Sequence, residues 1–208
     1  MNISFKTKRL AALLFACLGG VLSLTGPTSP AIGYFPQRII DNSSLRDVMP
    51  VADNQFATKE EAETYLSKTL PLATAANPKY RGEAGALTQW LTKSASFGPS
   101  KNPHGILVRM SEEVLNFKNG ARVSTGSHEV WFQIEDVTVS LLTDSKDLTE
   151  AGDQTQGVIF RCAAGKCVTH KWNGVESTSD WTDISMQDGA TRDKILAAFQ
   201  ALKRAAGG

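Results

Sequence analysis

The chain of 208 residues lacks an excess of charge of either sign. Its 22 Lys and Arg residues are interspersed with 21 Asp and Glu residues, which gives a formal net charge of +1 at pH 7. Because nucleic acids are bound by clustered basic side chains, this distribution gives no electrostatic reason to expect a nucleic-acid partner. With 41% apolar and 21% charged residues, the composition is that of an ordinary globular protein with one sizeable core.

Recognisable catalytic and cofactor motifs are also lacking. The chain contains no Gly-x-Ser-x-Gly elbow, no phosphate-binding glycine loop and no His-Glu-x-x-His helix. Its three histidines are His104, His128 and His170. Ser127-His128-Glu129 has the composition of a catalytic triad, but neighbours along a strand or turn point away from one another. We therefore predict a protein that has no catalytic residues and needs no cofactor.

The first 31 residues are typical of a secretory signal peptide. Basic residues at positions 6, 8 and 9 precede an apolar run from Leu10 to Leu24, and Ser29-Pro30-Ala31 places small residues where a signal peptidase reads them. We expect cleavage after Ala31, with cleavage after Gly33 as the second choice. The sequence thus predicts an exported protein, periplasmic or extracellular.

Two alternatives for this N-terminus remain open. Leu14-Phe15-Ala16-Cys17 resembles the lipobox of bacterial lipoproteins, which would make the protein an envelope lipoprotein acylated at Cys17. The segment could also stay uncleaved as an anchor, although its fifteen apolar residues fall short of the ~20 that a spanning helix needs. A membrane association is expected only in these two cases.

A linker and a helical segment are predicted next. Residues 32–57 are rich in turn-forming residues and lack a sustained apolar period. A capping box at Thr58–Glu61 opens the helical segment 58–97, and Pro71 ends or kinks its first helix. A second helix is predicted from about Glu83 to Ser96. The apolar faces of the two helices are Ala62, Tyr65, Leu66 and Leu70, and Leu87, Trp90 and Leu91.

From Ile106 the apolar period becomes that of strands. We count about seven short strands at the spacing of an antiparallel meander, with Asn119-Gly120 and Asn173-Gly174 as hairpin turns. The predicted strands are 106–110, 114–118, 122–124, 129–134, 138–143, the two arms of 158–172, and 181–186. This pattern predicts an antiparallel barrel or sandwich over residues 104–206.

The segment Val158 to Trp172 is predicted to be a β-hairpin with Ala163–Lys166 at its tip. Cys162 and Cys167 would then face each other at about 4.5–5.5 Å between Cα atoms, a distance that a disulfide spans. Because an exported chain favours oxidised cysteines, we predict a Cys162–Cys167 disulfide. A metal site would need two further ligands, of which only His170 is close in sequence, so no metal is predicted.

The acidic loop Asp144–Gln156 carries carboxylates at intervals of three, unlike the alternating ligands of a calcium loop. We expect a solvated, mobile loop there. Strand alternation places Trp131 and Phe132 on opposite faces of a sheet, so that one of the two is exposed or covered by another element.

The C-terminal segment predicts the clearest helix of the chain. Asp188 or Thr191 can cap it, and Lys203 and Arg204 complement its C-terminal dipole. Its apolar stripe would close the open end of the β-domain, and consists of Ile195, Leu196, Phe199 and Leu202.

About seven antiparallel strands followed by one amphipathic helix resemble the pleckstrin-homology-like barrel over roughly residues 104–206. Lipid-binding members of that superfold use basic residues around the first hairpin, whereas this chain has Ser111-Glu112-Glu113 there, so no phosphoinositide site is implied. The resemblance implies a binding module. We predict a non-catalytic exported module that binds a protein or envelope partner through segment 58–97 or the 144–156 loop. The alternatives are the Cys17 lipoprotein and a small hydrolase with an unrecognised site.

Overall fold

The computed structural model describes residues 55–81, 86–143, 145 and 147–207. The predicted signal peptide, Cys17, most of the predicted linker and Asp144 lie outside these residues. The described helices are α1, Lys59–Ala75, and α2, Gly189–Ala205. The strands are β1 Tyr80–Arg81, β2 Leu87–Pro99, β3 Ile106–Lys118, β4 Ala121–Gln133, β5 Val137–Leu142, β6 Gly157–Cys162, β7 Val168–Trp172, β8 Val175–Ser179 and β9 Trp181–Ser185, with a 3₁₀ turn at Ile134–Asp136.

Helix α1 begins at the predicted capping box. The Thr58 hydroxyl accepts from the Glu61 backbone N–H at 3.2 Å, and the Glu61 carboxylate accepts from the Ala57 N–H at 2.9 Å. Pro71 lies inside the helix, which continues to Ala75. The helix continues beyond Pro71 because its last turns are packed against the rest of the protein, with Leu70 and Thr74 buried. Neither α1 nor α2, the helices of the described residues, is long and apolar enough to cross a membrane.

The prediction of a second helix over 83–96 is wrong, because residues 87–99 form strand β2. A β-bulge between Thr92 and Ser94 shifts the register of β2 against β3. The inward side chains are Trp90 and Thr92 before the bulge and Ala95 after it. Leu91, which the predicted helix placed beside Trp90, lies on the opposite face of the strand. The Thr92 N–H donates to the Thr74 hydroxyl at 2.8 Å, which fixes α1 against β2.

The strands form two antiparallel sheets. One has six strands in the order β1-β2-β3-β4-β7-β8, and the other has three in the order β5-β6-β9. Antiparallel sheets with a C-terminal helix confirm the coarse fold prediction, but the described residues contain nine strands rather than about seven. Strands β3 and β4 are single long strands where two short ones were predicted for each, and β8 was missed. Both Asn-Gly turns are confirmed, with positive φ at all four residues.

The predicted hairpin over 158–172 is wrong, although its two strands exist. Strand β6 pairs with β5 and β9, whereas β7 pairs with β4 and β8, so the two predicted arms belong to different sheets. Cys162 and Cys167 nevertheless form a disulfide, with Cα atoms 5.7 Å apart. The disulfide joins the six-stranded sheet to the three-stranded sheet at the corner where the chain passes between them.

The core lies between the two sheets and both helices, and includes Ala62, Leu66 and Leu70 of α1. Asp188 caps α2 by accepting from the Thr191 N–H at 3.2 Å. The ring of Phe160 lies 4.8 Å from Phe132 of β4 and 4.8 Å from Phe199 of α2, measured between centroids. The predicted stripe of α2 is fully buried, and comprises Ile195, Leu196, Phe199 and Leu202.

Candidate functional site

Three ionisable side chains occupy core positions of the six-stranded sheet. On β3, Glu112 lies on the same face as buried Met110 and Val114, and the cross-strand partner of Glu112 on β4 is His128. His170 of β7 faces Val130, two residues beyond His128. Glu112, His128 and His170 are 8%, 3% and 4% exposed. Alternation along the strands therefore carries a carboxylate and two imidazoles into the interior.

These side chains form a continuous chain of hydrogen bonds. The Glu112 Oε2 lies 2.7 Å from His128 Nδ1, His128 Nε2 lies 3.0 Å from His170 Nδ1, and His170 Nε2 lies 2.7 Å from the Ser179 hydroxyl. The Ser179 hydroxyl in turn lies 2.5 Å from the Trp181 carbonyl oxygen, to which it can donate. A buried polar group lowers the stability of the fold unless it has a hydrogen-bond partner, and each group in this series has one. We call these five groups the relay.

Two tryptophans pack around the relay. Trp90 of β2 meets the His128 ring edge-to-face at 5.5 Å, and Trp172 of β7 lies 5.6 Å from the same ring. The two indoles are 5.7 Å apart. Gly126 makes room for Trp172, because a Cβ at that position would lie 3.1 Å from the indole ring. Both tryptophans are half-buried, so they shield the His128 ring from solvent.

Burial sets the protonation of His170. Desolvation and, to a smaller extent, the neighbouring His128 lower the pKa of His170 from its ordinary value of 6.5 to about 4. A hydrogen bond with the Trp181 backbone opposes this effect. His170 is therefore a neutral imidazole near pH 7, with one ring nitrogen that donates and one that accepts.

The triad Ser127-His128-Glu129 is not assembled, as expected from strand alternation. Ser127 donates its backbone N–H to the Asn173 side chain at 3.0 Å, and Glu129 lies on the opposite face of β4 from His128. His104 is exposed in the loop between β2 and β3. The relay was missed because its members are far apart in sequence. The available signal was polar: Glu112, His128 and His170 stand where alternation demands apolar residues.

The other predicted site segments are accounted for as follows. Within the described residues no group of three or more His, Cys, Asp or Glu side chains could hold a metal ion. In the described part of the 144–156 loop, residues 150–154 are exposed, whereas Thr149 and Thr155 are buried and Thr149 forms an isolated β-bridge with Tyr80. Phe132 is in the core, whereas Trp131 lies on the outer face beside Arg109, at 5.4 Å.

A groove lies between the C-terminal end of α1 and the connection from β9 to α2. Its cavity has a volume of about 290 Å³. Leu72, Ala73 and Ala76 line it from α1, and Met186 and Asp188 line it from the connection. Leu72 is 73% exposed, although it is a large apolar residue. We call this feature the α1–α2 groove.

No protein-family model matches this chain, and it matches neither a curated protein nor a solved structure.

Proposed function

We propose that this protein is an exported, non-catalytic module that binds a protein or cell-envelope partner through the α1–α2 groove. The observation that carries the proposal is Leu72, which is 73% exposed at the mouth of a concave cavity of about 290 Å³. Concave sites with mostly apolar walls and a few polar groups are typical of binding sites. The groove belongs in part to segment 58–97, which the sequence had singled out.

The chemistry of the groove favours one kind of partner. Its volume, near the lower end of the ~300–1,000 Å³ range of ligand pockets, suits one or two apolar side chains rather than a large cofactor. Asp188 stands at its rim, where hydrogen bonds from the Thr191 side chain and backbone hold the pKa of the Asp188 carboxyl below its usual value. The groove thus suits an apolar side chain flanked by a basic one.

Export rests on the N-terminal pattern and on the disulfide. Disulfides persist in oxidising compartments such as the periplasm and the extracellular space. The resemblance to the pleckstrin-homology-like barrel stays a prediction and accords with a binding role. An intact-mass measurement after secretion tests the processing. A chain starting at Ile32 or Tyr34 supports export, a diacylglycerol adduct at Cys17 identifies the lipoprotein alternative, and a full-length mass contradicts both.

Site-specific photo-crosslinking in cells tests the groove. A benzoylphenylalanine at position 72 should crosslink to a partner, whereas the same probe at Val175, which is equally exposed at 73%, should not. The two positions differ in that Leu72 lines the cavity and Val175 lies on the distant strand β8.

A pair of neighbouring alanines supplies the control for this experiment. Ala75 and Ala76 are both exposed at the end of α1, but Ala76 lines the groove. Ala76→Arg should abolish the crosslink from position 72, and Ala75→Arg should preserve it. Equal crosslinking from positions 72 and 175, or equal effects of the two arginines, would show that the groove is not the binding site.

A small hydrolase is the second candidate, because the Ser179 hydroxyl lies 2.7 Å from His170 Nε2 and the relay continues to a carboxylate. A nucleophilic serine needs a neighbouring base of this kind. The Ser179 hydroxyl, however, also faces the Trp181 carbonyl. Labelling by a serine-reactive fluorophosphonate that is lost in Ser179→Ala would favour the hydrolase, and absence of labelling in the folded protein would favour the binding module.

A further inference from the structure

Two hairpins of the six-stranded sheet are closed by the same two residues. Asn119-Gly120 joins β3 to β4, and Asn173-Gly174 joins β7 to β8. All four residues are exposed and have positive φ, with 52° and 80° in the first turn and 47° and 91° in the second. The two turns are therefore a matched pair, in which one dipeptide adopts one backbone conformation at two places.

An asparagine followed by glycine can react with its own backbone. The glycine nitrogen loses its proton to base and bonds to the asparagine Cγ, and the Cγ–Nδ2 bond breaks as the side-chain amide takes up a proton and leaves as ammonia. The resulting succinimide ring is opened by water at one of its two carbonyls, which gives aspartate or an isoaspartyl linkage. The reaction thus consumes water and releases ammonia. Glycine favours the attack because no Cβ crowds its nitrogen.

The side chain of Asn173 is held by strand β4. Its Oδ1 accepts from the backbone N–H of Ser127 at 3.0 Å, and its own backbone N–H donates to the Ser127 carbonyl oxygen at 3.0 Å. The Ser127 hydroxyl lies 3.5 Å from the same Oδ1. Because the side chain must turn toward the Gly174 nitrogen before it can react, the bond from the Ser127 N–H has to break first.

The side chain of Asn119 has no such restraint. Among the residues that the structure describes, none forms a hydrogen bond with it. Its charged neighbours in sequence are Lys118 and Arg122, and positive charge stabilises both the deprotonated nitrogen and the oxyanion that forms at Cγ. The second turn is flanked instead by Lys171 and Glu176, whose charges oppose each other.

We propose that Asn119 is a self-modification site, at which attack by the Gly120 nitrogen converts the side chain to aspartate and isoaspartate, and that Ser127 protects Asn173 from the same reaction. The additional hydrogen bond and the difference in neighbouring charge should make Asn119 react about tenfold faster than Asn173 in the folded protein.

The modification alters the far end of the β3–β4 hairpin. It adds a carboxylate to a turn whose flanking charges are Lys118 and Arg122. The isoaspartyl product also lengthens the backbone by one methylene, in a turn whose conformation is set by two residues with positive φ. Strand β7 pairs with β4 only from His128 to Trp131, so the pairing between these two strands should survive the change.

Peptide mapping of the aged protein tests the proposal. The exported, oxidised protein is incubated at mildly alkaline pH, and mass spectrometry follows ammonia loss and hydrolysis at both asparagines, with isoaspartate detected by an isoaspartate-specific methyltransferase. Asn119 should be converted about tenfold faster than Asn173. Equal rates, or faster conversion of Asn173, would overturn the proposal.

The same measurement in urea separates structure from sequence. Both asparagines precede glycine, so the unfolded chain should convert Asn119 and Asn173 at similar rates. A difference that persists unchanged in urea would show that the hydrogen bond from Ser127 does not protect Asn173.

Two prolines on one edge of β4 make the test specific. Ser127→Pro removes the N–H that Asn173 Oδ1 accepts, so conversion of Asn173 should accelerate by about tenfold toward that of Asn119. Thr125→Pro removes the N–H two residues earlier, which alternation places on the same edge, and should leave Asn173 slow. An unchanged Asn173 rate in folded Ser127→Pro would contradict the protective role of Ser127. The comparison in urea needs no variant, so it decides the matter if the proline variants do not fold.

Discussion

The three-stranded sheet packs apolar side chains against α2, whereas the inner face of the six-stranded sheet encloses a carboxylate and two imidazoles. Phe160 of β6 is fully buried between Phe132 and Phe199. On β3 and β4 the equivalent inward positions next to Met110 and Val130 hold Glu112 and His128. In both sheets alternate side chains point inward, but the inward side chains are apolar in one region and partly hydrogen-bonded polar groups in the other.

The difference lies in what each interior depends on. Apolar burial is non-directional and does not depend on protonation, so it tolerates a change of pH. The relay stabilises the fold only while every member has its partner, because an unpaired buried charge costs several kcal/mol. We therefore expect the two regions to fail in different ways when they are altered.

The largest effect should come from removing α2. Truncation before Arg192 exposes the surface covered by Ile195, Leu196, Phe199 and Leu202, which are each worth about 1.5–3 kcal/mol when buried. The sum is comparable to the whole stability of about 5–15 kcal/mol that a domain has. Urea unfolding and light scattering should show an unfolded or aggregated product. A truncated chain as stable as the parent would mean that the apolar interior does not hold the fold.

A single change in the apolar interior should have a smaller but still large effect. Phe160→Ala should lower the free energy of unfolding by about 3–5 kcal/mol at all pH values, since it leaves a cavity between Phe132 and Phe199. Val175→Ala is the control, because a side chain that is 73% exposed should change the stability by less than about 0.5 kcal/mol. Similar losses for the two variants in urea denaturation would contradict this assignment of the core.

Breaking the relay should lower the free energy of unfolding by about as much as Phe160→Ala, but for a different reason. His128→Ala leaves the buried Glu112 carboxylate without its partner and should cost about 3–5 kcal/mol. Lys93→Ala breaks a surface pair, in which exposed Lys93 lies 3.4 Å from the partly exposed Glu113 carboxylate, and should cost no more than about 1 kcal/mol. Chemical denaturation of both variants makes the comparison, and equal losses would show that burial of the relay carries no energetic weight.

The smallest of these effects should be that of the disulfide. Replacing Cys162 and Cys167 by Ser should lower the free energy of unfolding by about 1–3 kcal/mol, because the ring that the bond closes is short. The parent protein under reducing conditions should show the same loss, and a non-reducing peptide map should show the two residues linked. Free thiols in the freshly exported protein would contradict the assignment.

The helices and turns were largely predictable because their signals are local. Thr58 and Glu61 form the predicted cap, Asp188 caps α2, and both Asn-Gly turns have the positive φ values that they require. The pairing of strands was not predictable in the same way. The sequence between β6 and β7 does not show that the chain passes from one sheet to the other. A short segment that contains glycine is equally compatible with a hairpin turn and with a connection between two sheets.

The helix predicted over 83–96 is wrong because residues 87–99 pair with β3 as a strand, in which Trp90 and Leu91 lie on opposite faces rather than on one apolar side. Strand β8 was missed because its residues are exposed and polar, so they show no apolar alternation. The relay depends on partners 16 and 42 residues apart, which local patterns do not connect. The sequence did contain one indication of the relay, namely histidines at strand positions where apolar residues are expected. The correct prediction that Trp131 and Phe132 lie on opposite faces shows that the inward positions of β4 could be assigned from the sequence.

The pH dependence of His170 follows from its burial. The pKa of His170 in the folded protein, about 4, lies below the 6.5 of an unperturbed histidine, so the unfolded chain binds the proton more readily. The stability that neutral His170 contributes is complete above about pH 6.5 and is lost as the pH falls toward 4. Acid should therefore weaken the relay before it affects the contacts of Phe160.

An NMR titration of the His170 ring in the folded, oxidised protein tests the enclosed relay most directly. Burial and the adjacent His128 predict a midpoint near pH 4 for protonation of His170, with the ring neutral through pH 7. A midpoint at or above 6.5 would mean that His170 is solvated, and would contradict the existence of a buried hydrogen-bonded relay in the six-stranded sheet.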